Sequence, residues 1–353
     1  MERLTRRKLL QIALAAATTS VLSPFNSTRK ALALEKSVAG ISEILGYHGG
    51  DLPGSEVNPQ LTVKHTLEAG GKWLKLWDPT EELLAEASKN NLGVIVRANL
   101  AQNRLDDKTF SSNADSLRLT VAKVSRYYPL PIIQTFNEVM FEHETGIEGG
   151  VDPKTHAVEF INAAEIISEE FGGIALFTPL GQNSLVNGLS TMSYYEEFFR
   201  NVRRLKPLSW TMNNTALAPN GYFNLLPGDG PLDHIADVLN LADKIFGFKL
   251  PAFCTEGGPY QGFGTRYNQE ELGDHLARLV DTPLTPVLTG RLQSFCVWLL
   301  ESYTNVDDFM SSALLDINGD AKPAFSKLKD LNLRGNSKVF PKHFLMPLLN
   351  SQS

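Results

Sequence analysis

Short apolar runs punctuate the chain at regular intervals. They fall at residues 44–48, 73–77, 94–98, 132–136, 174–178, 208–212, 250–255 and 294–299. Each has the length and composition of a buried strand. Between them lie segments with helical spacing. Residues 80–90, TEELLAEASKN, set Leu83, Leu84 and Ala87 on one face and end on Asn91 and Gly93. Residues 116–128, 156–171, 193–203, 232–245 and 270–280 follow the same pattern, with 58–70 as the first such segment and the region after Asp307 as the last. Eight strand-then-helix units with continuously apolar strands predict a parallel (β/α)8 barrel, one domain spanning 34–335, followed by a tail at 336–353. A doubly wound sheet is the alternative. It usually carries a Gly-rich phosphate turn after its first strand, and here that place reads Tyr47-His48-Gly49-Gly50-Asp51 without the G-x-G-x-x-G spacing.

The connections are unequal. Segments that follow strands are long (138–153, 213–230, 257–268), and segments that precede strands are short. In a barrel this puts the Gly- and aromatic-rich loops on the face where the C-terminal ends of the strands lie, the face that carries active sites.

Two strands end on a carboxylate at that face. The fourth reads PIIQTFNEVM over 131–140 and ends on Asn137 and Glu138; the seventh reads LPAFCTEGG over 250–258 and ends on Glu256. The two glutamates are 118 residues apart, so only the fold brings them together. Cleaving an acetal needs a proton donor to the leaving oxygen and a second carboxylate that attacks the anomeric carbon or activates water; retaining enzymes hold the two about 5–5.5 Å apart. Mutual charge and desolvation keep one of such a pair protonated.

An Asn-Glu closing strand four and a Glu closing strand seven of an eightfold barrel resemble the clan A retaining glycoside hydrolases, the cellulase-like, mannanase-like and β-xylosidase-like families. The resemblance runs from about Gly40 to Leu331 and includes ALLDINGDAKPA at 313–324. It implies a carbohydrate substrate, no cofactor and no metal, with Glu138 as acid/base, Glu256 as nucleophile, Asn137 on the sugar 2-hydroxyl and Trp298 as a sugar platform. The chain departs from the pattern in three places. Val139 stands where Pro is common, and 210–214 reads WTMNN where a His-x-Tyr element is common, which leaves the tyrosine that supports the nucleophile unassigned. Lys75 or Arg97 takes the place of the arginine beneath the nucleophile.

Trp77 is read either as a second stacking surface or as core. Tyr222, Phe223, Tyr260, Phe263 and Tyr267 are read as active-face loop aromatics that stack on sugar or pack a lid. His48, at the end of strand one, is expected to satisfy a hydrogen bond, and Glu142, His143, Glu144 and Glu148 to form a solvated loop, since they lack the H-E-x-x-H helical spacing of metal ligands. Two other readings stand beside the exported retaining hydrolase. One is a catalytically silent carbohydrate-binding barrel, because a fold alone does not confer activity; the other is a metal-dependent barrel hydrolase, which the lack of paired strand-end histidines disfavours.

The N-terminus has a different grammar. Residues 1–8 (MERLTRRK) are basic with Arg6-Arg7 adjacent, 9–22 are rich in Ala and Leu, and Ala31-Leu32-Ala33 is a small-x-small cleavage site. This predicts a signal peptide of the twin-arginine type over 1–33, with the product periplasmic or extracellular. Fourteen moderately apolar residues are too short for the ~30 Å hydrocarbon core. These 33 residues hold six basic side chains and one acid, so without them the formal charge falls from −6 to −11. So acidic a chain lacks the footprint for nucleic acid or anionic lipid and suits neutral or cationic partners. Two cysteines, Cys254 and Cys296, are too few for a disulfide framework or a zinc site.

Export is directly testable. Mature protein should begin near Leu34, and the double variant Arg6→Lys, Arg7→Lys should accumulate as uncleaved precursor in the cytoplasm on fractionation. Unchanged export of that variant rules out the twin-arginine route.

Overall fold

The computed structural model describes residues 40–49, 58–98, 100, 107–186, 188–223, 228, 230–260, 267–301, 312–316 and 318–335. The expected signal peptide, the 336–353 tail and Phe263 lie outside them.

The strands are β1 (Leu45–His48), β2 (Trp73–Trp77), β3 (Gly93–Arg97), β4 (Ile132–Gln134), β5 (Ile174–Leu176), a sixth in two pieces, β6a (Thr215–Ala216) and β6b (Gly221–Phe223), β7 (Ala252–Pro259) and β8 (Leu292–Val297). They form one parallel sheet in the order β6a-β5-β4-β3-β2-β1-β8-β7-β6b. Its two edges are therefore consecutive pieces of one segment, and Leu217 joins them. The Leu217 N–H donates to Pro251 O and its carbonyl accepts from the Phe253 N–H, both at 2.9 Å. The curled sheet with its helices matches the expected (β/α)8 barrel. Closure removes the exposed edges that an open sheet presents. A small antiparallel hairpin, Leu185–Val186 with Leu189–Ser190, lies outside the ring.

The helices are α1 (Pro59–Glu68), α2 (Glu81–Lys89), α3 (Asp107–Ser125), α4 (Glu142–Thr145), α5 (Pro153–Glu165), α6 (Thr191–Leu205), α7 (Leu208–Asn214), α8 (Asp233–Phe246), α9 (Gln269–Val280) and α10 (Pro323–Gly335). Their starts are written locally. Asn58, Thr80, Asp152 and Ser190 each accept a first-turn N–H, and Asn268 with Glu271 forms a reciprocal capping box.

The sixth strand candidate is corrected. Residues 208–212 belong to helix α7, and the strand begins at Thr215. Leu208, Trp210 and Met212 alternate as in a strand, but five residues are too few to fix the period. Pro207 opens the helix, and Leu208 and Met212 face outward at 38% and 52% exposure, whereas Thr215, Ala216 and Leu217 are buried. Tyr222 and Phe223 accordingly stand on a strand, not in a loop.

Side chains alternate across the sheet. One set, Ile95, Ile132, Ile174, Leu176, Ala216 and Phe253, packs with Cys296 and Trp73 inside the ring. The other faces the helices, where Phe177 meets Phe160 of α5, Phe198 and Phe199 of α6 and Phe246 of α8, with ring centroids 4.6–5.8 Å apart. Phe177 is 1% exposed. Phe177→Ala should lower unfolding free energy by about 3–5 kcal/mol through lost burial and the cavity left behind. Urea unfolding of the purified variant reads this, and a loss under about 1 kcal/mol shows that the cluster collapses to fill the gap.

Candidate active site

The inward-facing positions turn polar as the strands approach their C-terminal ends. Trp73 lies inside the ring, so Lys75 follows it two residues on and Trp77 two further, at the mouth. Ile95 is followed by Arg97 and Ile132 by Gln134 in the same way. On β7 plain alternation fails. Cys254 pairs with Phe295 and Gly257 with Val297, so β7 carries one extra residue against β8. This bulge re-aims the chain at residues 255–256 and turns the Glu256 side chain inward. Gly257 permits the tight passage, since a Cβ there would stand 2.7 Å from the Phe295 ring and 2.8 Å from Gly221 O.

Glu256 is held from two sides. The Lys75 ammonium donates to Oε1 at 3.1 Å, and the Tyr222 hydroxyl reaches Oε2 at 3.5 Å. Lys75 has no exposed surface and Glu256 is 6% exposed. Behind Lys75, His48 offers Nε2 at 2.5 Å. The Nδ1 of that ring lies 2.9 Å from Gly49 O, a carbonyl that only accepts, so Nδ1 bears the proton and Nε2 the lone pair. Burial, with Lys75 adding to it, holds His48 well below the usual histidine pKa. The rings of Trp298 and His48 meet in an edge geometry at 4.4 Å, the Trp298 backbone N–H donates to Gly257 O at 2.9 Å, and a cis peptide bond to Leu299 follows. Its indole is partly exposed at the mouth.

Glu138 is built differently. Its backbone is left-handed at φ 39°, a conformation that costs a non-glycine residue on the order of 1–3 kcal/mol and is concentrated at functional sites. Two backbone bonds hold it there, Glu138 N–H to Pro179 O and Phe141 N–H to Glu138 O, both 2.9 Å. Asn220, between β6a and β6b, donates to Glu138 Oε1 at 3.1 Å. Among the described residues, no cation forms an ion pair with it. Desolvation first, then the charges of Glu256 and Glu144, push its pKa up to about 8, against the opposing pull of Arg97 and the Asn220 bond. Asn220 and Tyr222 lie two residues apart and touch one glutamate each, so the sixth strand ties the two carboxylates into one site.

The remaining expected residues sort around these. Arg97 lies with its guanidinium 4.4 Å over the Trp77 ring and donates to Glu144 Oε2 at 3.2 Å. Asn137 is 4% exposed; its Oδ1 accepts from Gln134 Nε2 at 3.0 Å and its Nδ2 donates to Glu144 Oε1 at 3.3 Å. Tyr260 meets Tyr222 edge on at 6.3 Å. Between the two candidates for the base beneath Glu256, the contact is made by Lys75. The reading of Glu144 as a solvated loop residue is corrected, because helix α4 turns it back onto Asn137 and Arg97. Sequence reasoning missed Asn220 and the support role of Tyr222, both hidden by the misplaced sixth strand; the buried run Thr215-Ala216-Leu217 after α7 was the available signal. Among the described residues, no group of three His, Cys, Asp or Glu side chains is arranged to hold a metal ion.

No protein-family model matches the chain, and no curated protein matches it by sequence. Solved structures do. An endo-β-1,3-glucanase of glycoside hydrolase family GH128, subgroup II, from Sorangium cellulosum superposes with a TM-score of 0.53 at 14% identity, over 81% of this chain and 97% of that one. The β-1,3-glucanase and pollen allergen CJP38 of Cryptomeria japonica gives 0.53 at 13%, over 79% and 97%. A GH5_18 enzyme of Streptomyces cattleya, solved with GlcNAc, gives 0.54 at 12%, over 87% and 82%. The likeness is one of fold, the (β/α)8 barrel that these glycoside hydrolases share.

The two carboxylates can be told apart by titration. With carbon-13 labelled glutamate, Glu138 should titrate at about 8 by NMR, neutral below that pH and charged above it. Removing the neighbouring charge with Glu256→Gln should move the midpoint down. A Glu138 midpoint near the ordinary ~4.3 of glutamate overturns the desolvated, like-charged site.

Proposed function

We propose that the protein is a retaining O-glycoside hydrolase, exported by a twin-arginine signal, in which Glu138 is the acid/base and Glu256 the nucleophile. One observation carries the reading. Two strand-end glutamates share a barrel mouth, yet one is gripped by an ammonium and a phenol, while the other meets no cation in an ion pair among the described residues and has its pKa pushed up to about 8. That is the division of labour double displacement needs.

In the first step Glu138 gives its proton to the glycosidic oxygen as Glu256 attacks the anomeric carbon; the C–O bond breaks, the alcohol leaves and an ester to Glu256 forms. Glu138, now a carboxylate, takes a proton from water as the water oxygen attacks the same carbon, and Glu256 is released. The Lys75 and Tyr222 donors fix the attacking carboxylate so that little reorganisation remains for the reaction itself. Trp298 and Trp77, both partly exposed at the mouth, offer apolar faces to sugar C–H groups. Two of the neighbours, each matched over 97% of its own chain, are β-1,3-glucanases, so β-1,3-glucans head the substrates to screen, beside aryl β-glycosides.

Glu256→Ala should abolish turnover of every substrate, because no ester can form. Glu138→Ala should still release a weakly basic leaving group such as dinitrophenol, accumulate the glycosyl-enzyme and show a burst. Azide should then restore its turnover and give a β-glycosyl azide from a β-glycoside. Azide acting on Glu256→Ala should give the opposite anomer. If both variants keep wild-type rates on a confirmed substrate, the residues are structural and the assignment fails.

A further inference from the structure

The loop that follows Glu138 doubles back on itself. Phe141 N–H binds Glu138 O, Val151 N–H binds Val139 O, and both bonds are 2.9 Å. Gly150, at φ 71°, packs so closely that a Cβ would fall 2.2 Å from Met140 O. Within this closed loop α4 ends on Gly146 in the left-handed region at φ 64°, and Thr145 is fully buried. Glu144 is thus carried on the same rigid piece of backbone as Glu138, and its two oxygens face two different partners, Asn137 and Arg97.

The amide of Asn137 is committed on both sides. Its oxygen is taken by Gln134, whose Nε2 also binds Phe136 O at 3.0 Å, and its nitrogen by Glu144. Arg97 is pinned between the Trp77 face and Glu144. The side chains of Arg97 and Glu144 are 12% and 23% exposed, so the pair is screened far less than a surface ion pair.

We propose that Glu144 is a positioning residue for the acid/base, holding Asn137 and Arg97 in place beside Glu138 and forming with Arg97 an opposed pair of charges that act on the Glu138 proton from one side. The negative member keeps the proton on and the positive member draws it off. This rests on the reading of Glu138 as the acid. Among the described residues, the groups that act on or face Glu138 are Glu256 from β7, Glu144 from α4, Arg97 from β3, Asn220 and Tyr222 from the sixth strand and Tyr195 from α6. Burial pushes both tyrosines well up, so they stay neutral over the working range. Glu256 and Glu144 raise Glu138, and Arg97 lowers it. Glu256 is spent in the reaction; Glu144 and Arg97 are the two charges free to set when the proton leaves.

The test is the alkaline limb of kcat/KM, which reports the acid of the free enzyme. On a substrate whose turnover is lost in Glu138→Ala, the wild-type limb should fall near 8. Glu144→Gln should move the limb to lower pH and Arg97→Gln to higher pH, and the double variant should return toward wild type. Glu144→Asp, which keeps the charge, should keep the limb near wild type while lowering kcat. A residue that only braces the loop would lower activity at every pH without moving the limb, or move it the same way in both single variants. Either result overturns the proposal and leaves the Glu138 assignment standing. Wild-type activity in Glu138→Ala overturns both. Should Glu144→Gln not fold, Arg97→Gln decides from the other side of the pair, with an unmoved limb counting against the proposal.

Discussion

A lysine with no exposed surface sits inside the barrel, and the site is arranged around its charge. Burying an ammonium costs several kcal/mol unless the geometry returns it. Lys75 recovers that cost through Glu256 at 3.1 Å and the lone pair of His48 at 2.5 Å. The lone pair is available only because Gly49 O takes the other ring proton. His48 in turn packs against the Trp298 ring in an edge-to-face pair. The Glu256 carboxylate is thereby fixed from below by a chain of contacts that begins at a backbone carbonyl of β1's end and finishes at a bulge in β7.

The other glutamate has its character because that ion pair exists. With the Lys75 ammonium committed to Glu256, Glu138 faces a negative neighbour in a desolvated mouth and receives directly, among the described residues, the Asn220 amide. Asymmetry of support, rather than any difference in residue type, separates the two carboxylates. Strain in the backbone at Glu138 belongs to the same economy. A left-handed residue persists only where its surroundings over-determine it, and here Pro179 O, the Phe141 N–H and the closed loop to Val151 do so.

Seven of the eight strands were legible because each is an apolar run bounded by turn residues, and the two carboxylates were legible because they close such runs. What could not be read depends on departures from simple period. A five-residue alternation at Leu208–Met212 mimics a strand, and the misplaced strand carried Asn220 and Tyr222 out of view. The bulge at residues 255–256 is invisible in LPAFCTEGG, where alternation from Phe253 would turn Thr255 inward and Glu256 out. Glu144 was misread because an acidic cluster on a loop ordinarily faces water; only the doubling back of 138–151 brings it inside.

Register explains why Lys75 and Arg97, both basic and both on inward-facing positions, do different things. Inward side chains of paired parallel strands fall in successive layers along the strand direction, set by the hydrogen-bonded register. His48, Lys75 and Ile95 are register partners across β1, β2 and β3. Trp77, Arg97 and Gln134 are register partners one layer higher, across β2, β3 and β4. The lower layer supplies the base beneath Glu256. The upper layer supplies the Trp77–Arg97–Gln134 row that grips Asn137 and Glu144 beside Glu138. A single side-chain step along the strand, two residues or about 6.6 Å of rise, therefore decides which glutamate a basic residue serves. Exchanging the identities of residues 75 and 97 would leave composition, charge and fold pattern unchanged and still misplace both supports, since Lys lacks the planar fork that stacks on Trp77 and meets a carboxylate edge on.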